Sequence, residues 1–160
     1  VPLGVKQTEI TLGVRRPTAD EVTRAKEIMS RARNFPRMDT MEEIYARETV
    51  QMADYPPTVK SILQAMHIGD VGIAAIPCEV FVEIGLELRE KSPFKQTFTV
   101  SLANGYNGYL PTVKHHELGG YETWRARSSF LSKRSWDSMA ITASSSGITP
   151  AGSERTSSRA

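Results

Sequence analysis

A chain of 160 residues with 39% hydrophobic and 24% charged residues is long enough for one ordinary domain with a single core. Its 20 basic and 18 acidic residues are scattered and leave a formal net charge of +2, so the electrostatics give no case for a nucleic-acid partner. No apolar run approaches the roughly 20 residues needed to span a bilayer, residues 1–16 lack the order of a signal peptide, and the lone Cys78 excludes both an internal disulfide and a cysteine zinc cage.

The chain starts at Val1 without an initiator methionine and runs straight into a β-prone segment, from which an N-terminal truncation, and hence a partial domain, is expected. Thr18 with Glu21 forms a capping box, and Val22, Ala25, Ile28, Met29 and Ala32 recur at helical spacing, predicting an amphipathic helix up to Asn34. After Pro36, Thr40 and Glu43 repeat the signal, and Met41, Ile44, Tyr45 and Met52 line a face until Tyr55-Pro56-Pro57 stops it. These two helices should form a pair. Val59–Ile68 reads as a strand with Ile62, Met66 and Ile68 on one side, and Gly69-Asp70 turns it into a second strand, Val71–Ile76.

The continuous apolar run of Val71–Ile76 is the pattern of a strand covered on both faces, and Phe81, Ile84, Gly85 and Leu88 then follow helical spacing to Lys91. Ser92-Pro93 ends that helix. Phe98, Val100 and Leu102 alternate with Thr97, Thr99 and Ser101, predicting another strand and therefore a βαβ unit with parallel strands. Ligands in such sheets gather outside the carboxyl ends of the strands, here Pro77-Cys78-Glu79 and the Asn104–Tyr109 loop. Ser132–Ala160 holds nine serines and little hydrophobic periodicity, the composition of a disordered tail. The expected fold class is thus α/β: a partial domain over residues 1–131 with an N-terminal helical pair and a mixed sheet containing a βαβ unit, followed by a low-complexity tail over 132–160.

Glu79 falls at the predicted start of a helix, where a carboxylate interacts favourably with free N–H groups. That structural role is the leading account from the residues alone; a metal ligand or general base at the strand end is the functional alternative, and the two are compatible. Tyr106, Tyr109 and Tyr121 are interleaved with Gly105, Gly108, Gly119 and Gly120, which let backbone approach a ligand; loop tyrosines otherwise serve as packing residues. His115-His116-Glu117 reads as an exposed helical surface, because adjacent helical residues point about 100° apart and cannot readily share one ion. His67 is expected at a sheet edge or in the core, and Cys78 as a small packing residue. The residues alone reach an α/β site of open chemistry.

Three linked stretches carry a resemblance: residues 68–81 (IGDVGIAAIPCEVF), residues 102–109 (LANGYNGY), and Gly120-Tyr121-Glu122. Together they resemble the neutral, non-lysosomal ceramidases and their bacterial relatives. In that family a strand ends in Pro-Gly-Glu-Phe, and a later Asn-x-Tyr-x-x-Tyr segment is followed twelve positions on by a Tyr-Glu pair. Cys78 stands where the family has its glycine. By position, the resemblance implies Glu79 and Tyr109 as zinc ligands and Tyr121 as the tyrosine that hydrogen-bonds the amide carbonyl oxygen. It also implies zinc as the cofactor, a ceramide-like N-acyl amide as substrate, and a fatty acid and sphingosine as products. His67, His115 and His116 match neither of the family's zinc-binding histidines, so this chain is expected to hold only part of the site and to be inactive alone. Association of the full protein with a membrane surface, and secretion or export to the periplasm, are further expectations from the resemblance. The alternative reading is a non-catalytic α/β binding or interaction module whose site has decayed.

Overall fold

The computed structural model describes residues 1–130, so the expected tail and the boundary at residue 131 lie outside the described residues. Among the described residues a four-stranded sheet has the order β1-β2-β3-β5: β1 is Leu3–Gly13, β2 Thr58–Ile68, β3 Val71–Ile76 and β5 Gln96–Ser101. β1 pairs antiparallel with β2 along its whole length, β2 forms the hairpin with β3, and β3 pairs parallel with β5. Gly69, at φ 57°, makes the hairpin turn in the left-handed region that only glycine adopts freely. The crossover between the parallel strands is α3, Val82–Lys91, so the expected mixed sheet and its βαβ unit are present.

The helical pair precedes the hairpin as α1, Ala19–Ser30, and α2, Met41–Met52. Both capping boxes form: Thr18 and Thr40 accept from the backbone N–H groups of Glu21 and Glu43, whose carboxylates accept in return from the threonine N–H groups. α1 ends four residues earlier than the periodicity predicts, at Ser30 rather than Asn34. Helix ends fray toward tighter turns, and apolar spacing alone does not locate them.

α3 covers one face of the sheet. Its Ile84 and Leu88 pack on Leu12 of β1, Leu63 of β2 and Ala74 and Ile76 of β3, with Cys78, Leu110 and Phe130 completing the core. Each large apolar side chain buried there contributes roughly 1.5–3 kcal/mol. The buried residues of β2 are Ser61, Leu63 and His67, so the Ile62, Met66 and Ile68 side is the outer one. Where both faces of a strand are apolar, alternation reveals two sides without revealing which carries the helix. His67 is a core histidine: it stacks on Phe94 at 5.1 Å, and Gly4 on the neighbouring strand leaves it room, since a Cβ there would overlap the imidazole.

Candidate functional site

The carboxyl ends of β3 and β5 are extended by a second, two-stranded sheet too short to leave a sequence pattern. β4, Glu79–Val80, pairs in parallel with β6, Tyr109–Leu110, and the register sets Glu79 directly beside Tyr109. Glu79 is therefore not in the first turn of a helix, as its sequence position suggested. α3 starts at Val82 with Phe81 as N-cap, and the acidic residue of its first turn is Glu83. What fixes Glu79 is β pairing, in which its N–H donates to Gly108 O at 2.9 Å.

The loop between β5 and β6 is stapled to the end of β3 by backbone bonds and to β2 by side-chain bonds. Leu102 N–H donates to Cys78 O (3.0 Å), Ala103 N–H to Ile76 O (3.0 Å) and Asn107 N–H to Pro77 O (2.8 Å). Asn107 Nδ2 donates to the buried Ser61 Oγ at 3.0 Å, and Asn104 Nδ2 to Gln64 Oε1 at 2.6 Å. Leu102 and Asn104 sit at φ 57° and 62°, the two non-glycine residues with positive φ among those described. Backbone of this kind persists where its surroundings over-determine it, and it concentrates at functional sites. Cys78 has no such φ, so a cysteine is accommodated there without backbone strain. It is wholly buried, and burial pushes its thiol up to about 12, which suits a packing residue and not a nucleophile.

Tyr121 opens a 3₁₀ turn, Tyr121–Thr123, that follows the short helix α4, Val113–Leu118. Its hydroxyl lies 2.9 Å from the Tyr109 hydroxyl, and the rings meet edge to face with centroids 5.6 Å apart. The hydrogen bond with Tyr121, and then that with Glu79, hold the Tyr109 phenol well above the ordinary tyrosine range. Tyr106 is also raised, by burial first and then by the charge and hydrogen bonding of Glu79. All three sequence-predicted residues, Glu79, Tyr109 and Tyr121, are thus brought together, and Tyr106 joins them. They border an open cleft of about 310 Å³ lined by Glu79, Phe81, Leu102, Tyr109 and Glu122.

The helical pair holds the Tyr121 segment in place, a role with no sequence signal. Arg125 donates to Glu21 of α1 at 2.6 Å, Arg127 donates to Glu48 of α2 at 2.8 Å, and Trp124 packs edge-on against Tyr45 with centroids 3.9 Å apart. The Arg127 carbonyl in turn accepts from Tyr109 N–H at 2.8 Å, so the same residue ties the helices to the site. A Cβ at Gly108 would overlap that carbonyl oxygen, and Gly108 sits at φ 73°, so the contact requires glycine twice over.

His115 and His116 are half-buried, not an exposed helical surface. His115 stacks on Phe81 at 4.0 Å, its Nδ1 accepts from Thr112 N–H at 3.0 Å, and its Nε2 lies 3.5 Å from Glu83. Burial, and then the positive charge of Arg15, lower the pKa of His116. His115 closes α4 onto Phe81, whereas His116 Nε2 is buried with no hydrogen-bond partner among the described residues. Among the described residues no three His, Cys, Asp or Glu side chains gather as a metal set. Glu79 and the Tyr109 phenol offer two oxygen donors, which suit zinc but are one short of the usual three protein ligands.

No family model matches the chain, and no curated protein matches it. Among solved structures it is similar to the neutral ceramidase from Pseudomonas aeruginosa, with a TM-score of 0.53 and 14% identity over 94% of this chain. The chain spans 30% of the length of that structure. At this identity the likeness establishes a shared fold with one part of that longer chain. No helix among the described residues is long and apolar enough to cross a membrane.

Proposed function

We propose that this chain is part of a zinc-dependent N-acyl amide hydrolase of the ceramidase type, contributing Glu79 and Tyr109 as ligands and Tyr121 as the carbonyl-binding tyrosine. The observation that carries the reading is the parallel pairing of Glu79 with Tyr109, with the Tyr121 hydroxyl 2.9 Å from that of Tyr109. It puts two oxygen donors and a phenol donor at one strand end, in a fold shared with a bacterial neutral ceramidase. Zinc bound there would activate water and polarise the carbonyl of the amide. Glu79, locked by β pairing, supplies a fixed carboxylate. Tyr121 donates to the oxygen on which negative charge grows as water adds to the amide carbon. The carbon–nitrogen bond then breaks, the acyl group leaves as a fatty acid, and the nitrogen takes a proton and leaves as the sphingoid amine. Leu102 and Phe81 in the cleft wall suit the apolar chains of such a substrate.

The Tyr109 phenol must lose its proton to ligate, and its pKa lies above the ordinary value. Zinc affinity should therefore rise with pH across the neutral and mildly alkaline range. Metal analysis of a longer polypeptide that includes the sequence preceding Val1 tests the assignment. Stoichiometric zinc that is lost in Glu79→Ala is expected. A zinc-free longer protein, or one in which Glu79→Ala keeps the metal, would favour the non-catalytic module instead.

A further inference from the structure

The tripeptide Asn-Gly-Tyr occurs twice in the segment that leads from β5 into the site, at residues 104–106 and 107–109. Asparagine followed by glycine is the pair at which a peptide chain most readily modifies itself. Glycine has no Cβ to hinder the approach of its nitrogen to the asparagine side chain, and its backbone turns freely. With the same residue following each pair, local sequence gives the two asparagines equal reactivity, and a difference between them comes from the fold.

The fold treats them in opposite ways. Asn107 N–H donates to Pro77 O at 2.8 Å, and its Nδ2 donates to the buried Ser61 Oγ at 3.0 Å. Gly108 is buried, its carbonyl accepts from Glu79 N–H at 2.9 Å, and Arg127 O lies where a Cβ would stand. Turning the Asn107 side chain onto the Gly108 nitrogen therefore breaks the bond to Ser61 and displaces backbone held on both sides. Asn104 and Gly105 are exposed, and among the described residues no backbone hydrogen bond holds 104–106 between the staples at Ala103 and Asn107. A Cβ at Gly105 would meet only Pro77, at 3.5 Å. The Asn104 side chain has one partner, Gln64 Oε1 at 2.6 Å, in an exposed hydrogen bond.

We propose that Asn104 is a site of spontaneous deamidation and that Asn107 is protected from it. The Gly105 nitrogen attacks Cγ of Asn104. A carbon–nitrogen bond forms, the bond from Cγ to Nδ2 breaks, and Nδ2 leaves as ammonia with the proton given up by Gly105. The five-membered imide then takes up water. Opening at Cγ restores the ordinary chain with an aspartate in place of the asparagine; opening at the main-chain carbonyl leaves an isoaspartyl linkage, with the main chain one carbon longer. Either product puts a carboxylate into the loop that carries Tyr106 and Tyr109. The neighbours accommodate it. Gln64 Nε2 donates to Gln7 Oε1 at 2.8 Å, so a carboxylate at position 104, which only accepts, requires Gln64 and then Gln7 to turn their amides over. Both bonds of this relay are exposed, and its reversal leaves no buried group unpaired. The modification is independent of the zinc reading.

The test incubates the 160-residue chain in neutral and mildly alkaline buffer and digests samples with trypsin at successive times. Peptide 96–114 contains both asparagines, and tandem mass spectrometry locates the exchange of an amino group for a hydroxyl within it. Asn104 should convert to aspartyl and isoaspartyl forms, faster as hydroxide rises because the attacking nitrogen must lose its proton. Asn107 should convert at least about tenfold more slowly, since it must first give up hydrogen bonds and burial that Asn104 lacks. In concentrated urea, where only the shared tripeptide remains, the two rates should become equal. Equal rates in the folded chain, a faster Asn107, or an Asn104 that converts only in urea overturns the proposal.

Discussion

In the helical pair, each N-terminus is closed by a threonine and a glutamate three residues apart, so the contacts that shape it are local. The strand-end cluster has no comparable local support. Glu79 and Tyr109 meet only after the chain has passed through α3 and β5, and they are held by backbone hydrogen bonds to Gly108 and Arg127. The first region is redundant, with each cap contributing about 1 kcal/mol. The second depends on a few backbone positions where no alternative geometry is open. The two also meet: Arg125 and Arg127 fasten the tyrosine segment to α1 and α2, so the local region serves as the anchor of the non-local one.

Gly108→Ala should break that comparison open with the largest effect. The left-handed backbone and the overlap with Arg127 O together should cost about 2–5 kcal/mol. Loss of protection at Glu79 and Tyr109 N–H in hydrogen exchange, with α1 and α2 still protected, is the expected pattern. Uniform loss of protection would show that the regions are one cooperative unit. Tyr121→Phe sharpens the contrast from the chemical side. In the longer polypeptide it should lower turnover of an N-acyl sphingoid substrate by on the order of 100-fold to 1,000-fold with zinc retained, whereas Tyr109→Phe should weaken the metal. Equal effects of the two on bound zinc would contradict the division of roles.

Smaller effects belong to the helices. Thr40→Ala removes one half of the α2 capping box and should cost about 1 kcal/mol by denaturant unfolding, with the site pairing unaffected. The smallest effect is the acid response of the tether. The hydrogen bond from Arg125, and then that from Thr18 N–H, pull the Glu21 carboxyl down to about 2. A depressed carboxyl pKa contributes stability that is fully present above its unfolded value, near 4.5, and is lost as pH falls through about 2. Glu21→Gln should therefore flatten the melting temperature across that window and leave it little changed relative to the parent at pH 2. A pH profile identical to the parent's would show that the ion pair is not formed in solution.

Much of the fold is written in short-range pattern. Thr18 with Glu21 and Thr40 with Glu43 mark helix starts, Gly69-Asp70 marks the hairpin, and the sequence Val71–Ile76, α3, Gln96–Ser101 marks a parallel pair, because these signals depend on periods of two and 3.6 residues and on turn chemistry. Strand-end position and the interleaved glycines raised Glu79, Tyr106, Tyr109 and Tyr121 as candidates, and only the resemblance to ceramidases separated Tyr109 and Tyr121 from Tyr106 and assigned them roles.

Tertiary structure alone decided that Glu79 is a strand residue paired with Tyr109 and not a helix-start carboxylate, since a two-residue strand has no period to detect. It also decided which side of β2 is buried, because α3 settles on the side of Leu63 and His67 and leaves Met66 and Ile68 on the other face. Hydrophobic alternation fixes the relative sides of a strand, and only the packing of the rest of the chain gives one of them to the core.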